Sequence, residues 1–315
     1  MRILLTGASS FTGAWFAAAL ARAGHQVTAT FRGDPAGYDG RRAERVRALE
    51  GLVEPVWGVS FGDQHFLDLV TSQGFDLLCH HAAEMTDYRS WDFDPLAATA
   101  ANTRSARQVL QALAEKGGRG AVLTGSVFEP FEGVGDEGRR AFNPYGLSKH
   151  LSYEVFRMEA ERLGLPIGKF VIPNPFGPRE EFRFTSFLAR EWLAGRTPTV
   201  GTPDYVRDNI PASLLTECYL AFVGGFPDGG GMRWSTPSGY IETQGAFAHR
   251  VAREMEPRLG RGCPVACAVQ TDFPEPMIRI NQSLALRAFP DWSEASAWDD
   301  LAEYYRAEFG RGAGP

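Results

Sequence analysis

A tyrosine and a lysine four residues apart, Tyr145 and Lys149 in "NPYGLSKHLSYEVFRMEAERLG", form the pair in this chain best suited to moving a proton. Pro144 suits the first turn of a helix, and on that helix side chains at i and i+4 leave from one face. An ammonium beside a phenol favours the phenolate, which lowers the tyrosine pKa toward neutral and makes it a usable acid and base. Just upstream, the strand-like "GAVLTGSVF" ends in Thr124, Gly125 and Ser126. A hydroxyl at such a strand end can hydrogen-bond a substrate oxygen as its charge changes during hydride transfer. Ser126 is the first candidate for that part and Thr124 the second; the plain structural alternative for Ser126 is a strand-end cap.

A second group lies at the start of the chain, in "LLTGASSFTGAW" from Leu4 to Trp15. A tight turn between a strand and a helix aims backbone N–H groups and the positive helix end at a pyrophosphate, and glycines let the phosphate approach. Gly7 and Gly13 hold the first and third places of that pattern, while Ser10 stands where the middle glycine is expected. Its hydroxyl could donate to a phosphate oxygen. The turn therefore contributes Gly7, Ser10, Phe11, Thr12 and Gly13 as candidate cofactor contacts. After the next strand, "QVTATFRGD" offers Arg32 in place of a ribose-reading acid, and an arginine there can pair with a 2'-phosphate. That points to NADP, with NAD as the alternative. Asp63, after the third strand, could accept from an adenine amine or simply cap a helix.

These residues need a scaffold, and hydrophobic periodicity describes one. Strand patterns at Arg2–Thr6, Gln26–Phe31, Val53–Val56, "FDLLCHHAA", "GAVLTG" and "GKFVIP" alternate with helical patterns. The helices are expected at Thr12–Ala23, Arg41–Glu50, His65–Ser72, Pro95–Lys116 and Tyr145–Leu163. Such alternation implies right-handed crossovers and a Rossmann-like, doubly wound parallel sheet. After about Pro173 the rhythm fades, with helical patterns left at Thr185–Ala194, Ala212–Phe222, Thr243–Met255 and Ala297–Phe309. The expected organisation is a dinucleotide-binding domain over 1–173 and a smaller α+β substrate-binding region over 174–315, from which helices and strands can return to the main sheet. "GGFPDGGG", from Gly224 to Gly231, reads as a connecting turn.

The 315 residues are 44% hydrophobic and 22% charged, and 32 Lys+Arg against 38 Asp+Glu leave a formal charge of -6. There is no basic surplus to condense on phosphate backbones, so nucleic acid is not an expected partner. No run of about 18 apolar residues predicts a spanning helix, and no signal-peptide pattern precedes "ILLTG"; a cytoplasmic location is expected. Cys79, Cys218, Cys263 and Cys267 lack metal-site or disulfide spacing. "HHAAE" from His80 lacks a third spaced ligand, so no metal is expected.

Taken with "GD" at Gly62 and Asp63, Asn102 in "ANTRSARQVL", "PNPFGP" from Pro173 and "YVRDNI" from Tyr205, these motifs make the chain resemble an extended short-chain dehydrogenase/reductase of the nucleotide-sugar epimerase/dehydratase superfamily over nearly its whole length. The resemblance implies that Tyr145 is the proton donor or acceptor, that Lys149 also binds the nicotinamide ribose, and that Ser126 orients the reacting carbonyl or carbinol. By the same resemblance Ala82 and Ala83 present backbone to the cofactor, Asn102 and Pro173 lie along it, and Asn174 and Arg207 bind the sugar or the nucleotide diphosphate. The second diphosphate arginine expected near Asp272 to Pro276 is missing, with Arg279 the substitute at hand. The segment after Ser126 is shorter than in relatives, and Val127 and Phe128 stand where a dehydratase carries its acid pair.

The expected activity is an NADP-dependent oxidoreduction of a nucleotide-activated sugar, reduction of a 4-keto sugar being favoured. The alternatives are C4 epimerisation with tightly held NAD, reduction of a non-nucleotide ketone, and a non-catalytic dinucleotide sensor. A homodimer through the helices around Asn102 and Tyr145 is implied by resemblance.

Overall fold

The computed structural model describes residues 1–133, 140–226 and 231–310. The chain divides into two compact units. Among the described residues, one comprises 1–133, 140–172, 216–226 and 231–236, and the other 173–215 and 237–310.

The first unit is built on β1 (Arg2–Thr6), β2 (Gln26–Phe31), β3 (Glu54–Trp57), β4 (Leu77–His80), β5 (Gly120–Ser126) and β6 (Ile167–Ile172). With Met232–Ser235 they make a seven-stranded sheet in the order β3, β2, β1, β4, β5, β6, Met232–Ser235, every pair parallel. Central strands covered on both faces have no polar side to show, which is why "LLCH" and "GAVLTGS" are buried throughout. On one face, helices α3 (Gln64–Gln73), α5 (Ala106–Glu115) and α6 (Pro144–Leu163) bury Phe66, Leu110 and Phe156 against Leu78 and Leu123. On the other, Phe16 of α1 (Phe11–Arg22) stacks on Tyr219 at 3.9 Å and meets Phe170 edge-on. Each such fully buried side chain contributes roughly 1.5–3 kcal/mol. The sheet order reverses between β1 and β4, and the crevice beyond the carboxyl ends of strands at such a switch point is where ligands of open α/β sheets bind.

Helix α2 (Gly40–Arg47) lies between β2 and β3. The expected helix from Pro95 to Lys116 is instead two, α4 (Pro95–Asn102) and α5, joined through Ser105 in the left-handed region at φ 52°. The cause is a long-range contact. The Asn102 carbonyl, which a continuous helix would give to Ala106, accepts from His80 Nε2 at 3.2 Å, and the Ala106 amide turns to Thr103. No strand pattern is read at Met232–Ser235 itself, the strand from the second half of the chain that joins the main sheet; of the connecting turn before it, residues 227–230 lie outside those described.

The second unit holds short strands. Val206–Pro211 is flanked by Tyr240–Thr243 and Ile278–Arg279 and also pairs with Asn174–Phe176. Helices Phe184–Leu193, Gln244–Leu259 and Glu294–Phe309 close over an aromatic core that includes Phe176, Trp192, Phe247 and Trp298.

Candidate active site

The glycine turn is shaped by contacts that exclude side chains. Gly7 takes φ +80°, and a Cβ there would stand 2.8 Å from the Ala82 amide nitrogen. A Cβ on Gly13 would run into the Gly7 carbonyl oxygen. Ser10 is the N-cap of α1: its hydroxyl accepts from the Gly13 amide at 3.2 Å and donates to the Gly7 carbonyl at 2.8 Å. The serine thus closes the turn with its side chain, and its proton is spent inside it. Phe11 and Thr12 form the first turn of α1, whose positive end faces the crevice.

The two histidines at the end of β4 tie this turn to its neighbours. Thr6 Oγ1 accepts from the amides of His81 and Ala82, so its own proton goes to His80 Nδ1 at 2.9 Å, and His80 Nε2–H donates to the Asn102 carbonyl. His81 spans the site: Nε2 lies 3.0 Å from Ser10 Oγ and 3.1 Å from Thr12 Oγ1, and Nδ1 lies 2.8 Å from Thr124 Oγ1. Burial, with the Lys149 charge adding to it, pushes both imidazoles down to about 3, so both are neutral near pH 7. With the Ser10 proton already given to Gly7, His81 donates from Nε2 and accepts the Thr124 hydroxyl at Nδ1. Sequence reasoning placed these histidines at a strand end but missed that they set the direction of the hydroxyls. Among the described residues no group of three or more His, Cys, Asp or Glu is placed to hold a metal ion.

Asn102 is a brace. Its Oδ1 accepts the Glu84 amide at 2.7 Å and its Nδ2 donates to Ser152 of α6 at 3.3 Å. Ala82 and Ala83 lie between that brace and the glycine turn. Arg32, past the end of β2, is mostly exposed and pairs with Glu84 at 3.6 Å. Asp63 caps α3, accepting the Phe66 and Ser60 amides at 2.8 Å each. Gly62 before it has φ +71°, and a Cβ there would overlap the Arg104 carbonyl.

Helix α6 begins where the chain after β5 turns back. Asn143 caps it by accepting the Gly146 amide at 2.8 Å, and Gly146 is side-chain-free because a Cβ would overlap the Phe128 carbonyl. This contact seats Tyr145 in an aromatic box, with ring centroids 5.3 Å from Tyr88, 6.1 Å from Phe93 and 6.3 Å from Phe128. One turn on, Lys149 borders a small cavity with Thr124, Glu129, Asn102, Ser152 and Lys169, with room for about one water. Burial pushes the Lys149 ammonium down to about 8; Glu129 works against that and Lys169 with it. At neutral pH it is still mostly charged. Ser126 donates its amide to Glu129 at 2.7 Å, and its hydroxyl accepts the Phe128 amide at 3.3 Å, an arrangement that leaves the hydroxyl proton to give.

Pro173, Asn174 and Arg207 belong to the second unit. Asn174 Nδ2 donates to the Asp208 carbonyl at 3.1 Å. The buried Arg207 guanidinium lies over the Tyr205 ring, donates to the carbonyls of Val206, Pro276 and Met277, and pairs with Glu275 at 2.8 Å. Its register partner on the next strand is Arg279, 3.6 Å from the same Glu275. Burial, with Arg207 adding to it, pushes Arg279 down to about 9.

Several solved structures share this fold at low identity. UDP-glucose 4-epimerase from Thermotoga maritima, with UDP-glucose, superposes with a TM-score of 0.74 at 16% identity over 98% of this chain and 99% of that one. UDP-glucose 4-epimerase from Thermus thermophilus, in complex with NAD, gives 0.70 at 18% over the whole of both chains. The dTDP-glucose 4,6-dehydratase DesIV from Streptomyces venezuelae gives 0.71 at 18%, over 99% of this chain and 98% of that one. No curated protein matches the chain significantly in sequence. The sequence profile described as "NAD dependent epimerase/dehydratase family" matches residues 3–210. With well over half of its length inside that profile, the chain belongs to the NAD-dependent epimerase/dehydratase family of enzymes.

Proposed function

We propose that this enzyme moves a hydride to or from a ring carbon of a nucleotide-activated sugar, with Tyr145 as its acid and base. The observation that carries the reading is the arrangement around α6: a phenol held in an aromatic box, with an ammonium one turn away on the same helix.

The residues present suit a dinucleotide. The α1 N-terminus supplies backbone donors for a pyrophosphate, the Gly7 and Gly13 turn keeps side chains out of its way, and Ala82 and Ala83 offer backbone where the sheet order reverses. When bound, the dinucleotide accepts or supplies the hydride. The chain's own part is proton handling. Tyr145 gives its proton to a carbonyl oxygen as that oxygen becomes a hydroxyl, or takes it back in the reverse direction. Lys149 favours the phenolate that remains. Ser126 donates to the reacting oxygen, while Thr124, its proton turned to His81, can only accept there. The paired guanidinium groups of Arg207 and Arg279 suit the diphosphate of the sugar nucleotide.

Reduction of a 4-keto sugar with NADPH is supported by Arg32, an exposed cation just past β2 that could pair with a 2'-phosphate. C4 epimerisation with retained NAD is supported by a specific contact: Arg32 already pairs with Glu84, a carboxylate that a 2'-phosphate would have to face. A nucleotide assay of the purified enzyme separates the two. Retained NAD and no net consumption of NADPH favours epimerisation, and an empty site that consumes NADPH with a 4-keto sugar nucleotide favours reduction. Failure of both, with Tyr145→Phe indistinguishable from the native enzyme, removes the oxidoreductase reading and leaves the sensor.

A cytoplasmic location and a homodimer are part of the same proposal. No described helix is long and apolar enough to cross a membrane. Leu96 on α4 and Leu147, Val155 and Met158 on α6 are exposed apolar side chains on the two helices the resemblance assigns to the dimer seam. Size-exclusion chromatography with light scattering tests it.

A further inference from the structure

Of the chain's 32 basic residues only three are lysines, Lys116, Lys149 and Lys169, and two of the three border one cavity. Lys169 stands in the middle of β6, 1% exposed, in a strand whose neighbours are apolar. Its Nζ lies 2.5 Å from Glu129 and 2.7 Å from Glu132, and 4.6 Å from the ring centres of Tyr153 and Trp234. The second oxygen of Glu129 accepts the Ser126 amide. Gly125 makes room for the pair, since a Cβ there would come within 2.8 Å of Lys169 Cε and 3.1 Å of Glu129 Oε1. Buried ion pairs are poor stabilisers, and apolar residues of similar volume often serve as well or better. A reason other than stability is needed for placing this one against Ser126 and on the cavity that Lys149 borders.

Two buried ammonium groups beside one cavity repel each other, and the Lys149 ammonium, already pressed by burial, is pressed further by Lys169. The groups around Lys149 are Glu129 from the turn after β5, Lys169 from β6, the neutral His80 and His81 at the end of β4, and Tyr145 and Tyr153 on α6 itself, with Glu132 beyond Lys169. Of these, Glu129 is the one that holds the Lys149 proton on.

We propose that Glu129, clamped by Lys169, is a positioning residue of this site: one oxygen fixes the Ser126 peptide, and the carboxylate's charge lets Lys149 stay an ammonium beside a second ammonium. The inference rests on the reading that Lys149 works with Tyr145, yet its test needs no turnover. Lysine labelled with ¹³C at Cε gives three signals in the full chain, assigned with Lys116→Arg and Lys169→Met, and each is followed against pH. The native Lys149 signal should titrate near pH 8. Glu129→Gln lowers that midpoint by about one unit, Lys169→Met raises it by about one unit, and the double variant returns most of the way to the native value.

An unchanged Lys149 midpoint in folded Glu129→Gln overturns the proposal. Should that variant not fold, Lys169→Met and the double variant decide it, and a midpoint that fails to rise in Lys169→Met overturns it equally. The same shifts in an enzyme whose Tyr145→Phe variant keeps full turnover would retain this inference and discard the functional reading.

Discussion

Each unit of this molecule sets two buried cations beside a carboxylate they share, with Glu132 a second carboxylate on Lys169 in the first. In the first, Lys149 and Lys169 flank Glu129; in the second, Arg207 and Arg279 share Glu275. The electrostatic problem is the same and the chemistry is opposite. An ammonium pressed by burial gives up its proton within reach of neutral pH, as Lys149 does near 8. A guanidinium under like pressure stays charged at pH 7, as Arg279 does even at about 9. The lysine pair suits a place where protons move, and the arginine pair suits a place that must stay positive for an anion.

The strongest way to break this contrast is Tyr145→Phe, which removes the proton donor and leaves both cation pairs in place. Turnover should fall by about 10²–10⁴-fold, with dinucleotide affinity within a few fold of native, by steady-state rates and fluorescence titration. Full turnover would mean that the lysine side handles no catalytic proton.

A pH series sharpens it. The Lys149 ammonium is present below about pH 8 and lost above it, so turnover should decline by about tenfold per unit beyond that point. Affinity for a nucleoside diphosphate such as UDP, measured by calorimetry, should hold level across the same range, because the guanidinium groups of Arg207 and Arg279 keep their protons where Lys149 loses its own. Parallel declines would erase the distinction.

Arg279→Gln tests the second pair alone. Loss of one charged donor should weaken UDP binding by about tenfold, leaving the melting temperature and NADH binding near native. The smallest effect concerns a cation that is not buried. Arg32 is mostly exposed and screened by solvent, so Arg32→Asp should change the ratio of NADPH to NADH affinity by only a few fold to about tenfold, in favour of NADH. No change would mean that Arg32 serves only Glu84.

How much of this was legible in the residues varied with the range of the interaction. Tyr145 and Lys149 were readable because i, i+4 spacing on a helix is local, and Pro144 at the start of that helix is a local signal too. The alternation of strands and helices was readable for the same reason, with limits within a few residues of those observed. The break between α4 and α5 was not, because it depends on His80, 22 residues away, claiming the Asn102 carbonyl. Ser10 was readable as a departure from the glycine pattern, but not as the cap that gives its proton to Gly7. His81 and Glu129 left weaker traces. A second histidine after a buried strand and a lysine inside "GKFVI" were visible oddities, and nothing local says what they meet.

By itself, the sequence determined the βαβ rhythm, the glycine turn and the spacing of phenol and ammonium, since each is settled by residues within one or two turns of one another. Only the tertiary structure decided which hydroxyl points where and which carboxylate answers which cation. Hydrogen-bond direction and buried charge depend on partners that folding brings together from distant strands, where the desolvation of a charge or a donor makes one pairing far better than the rest.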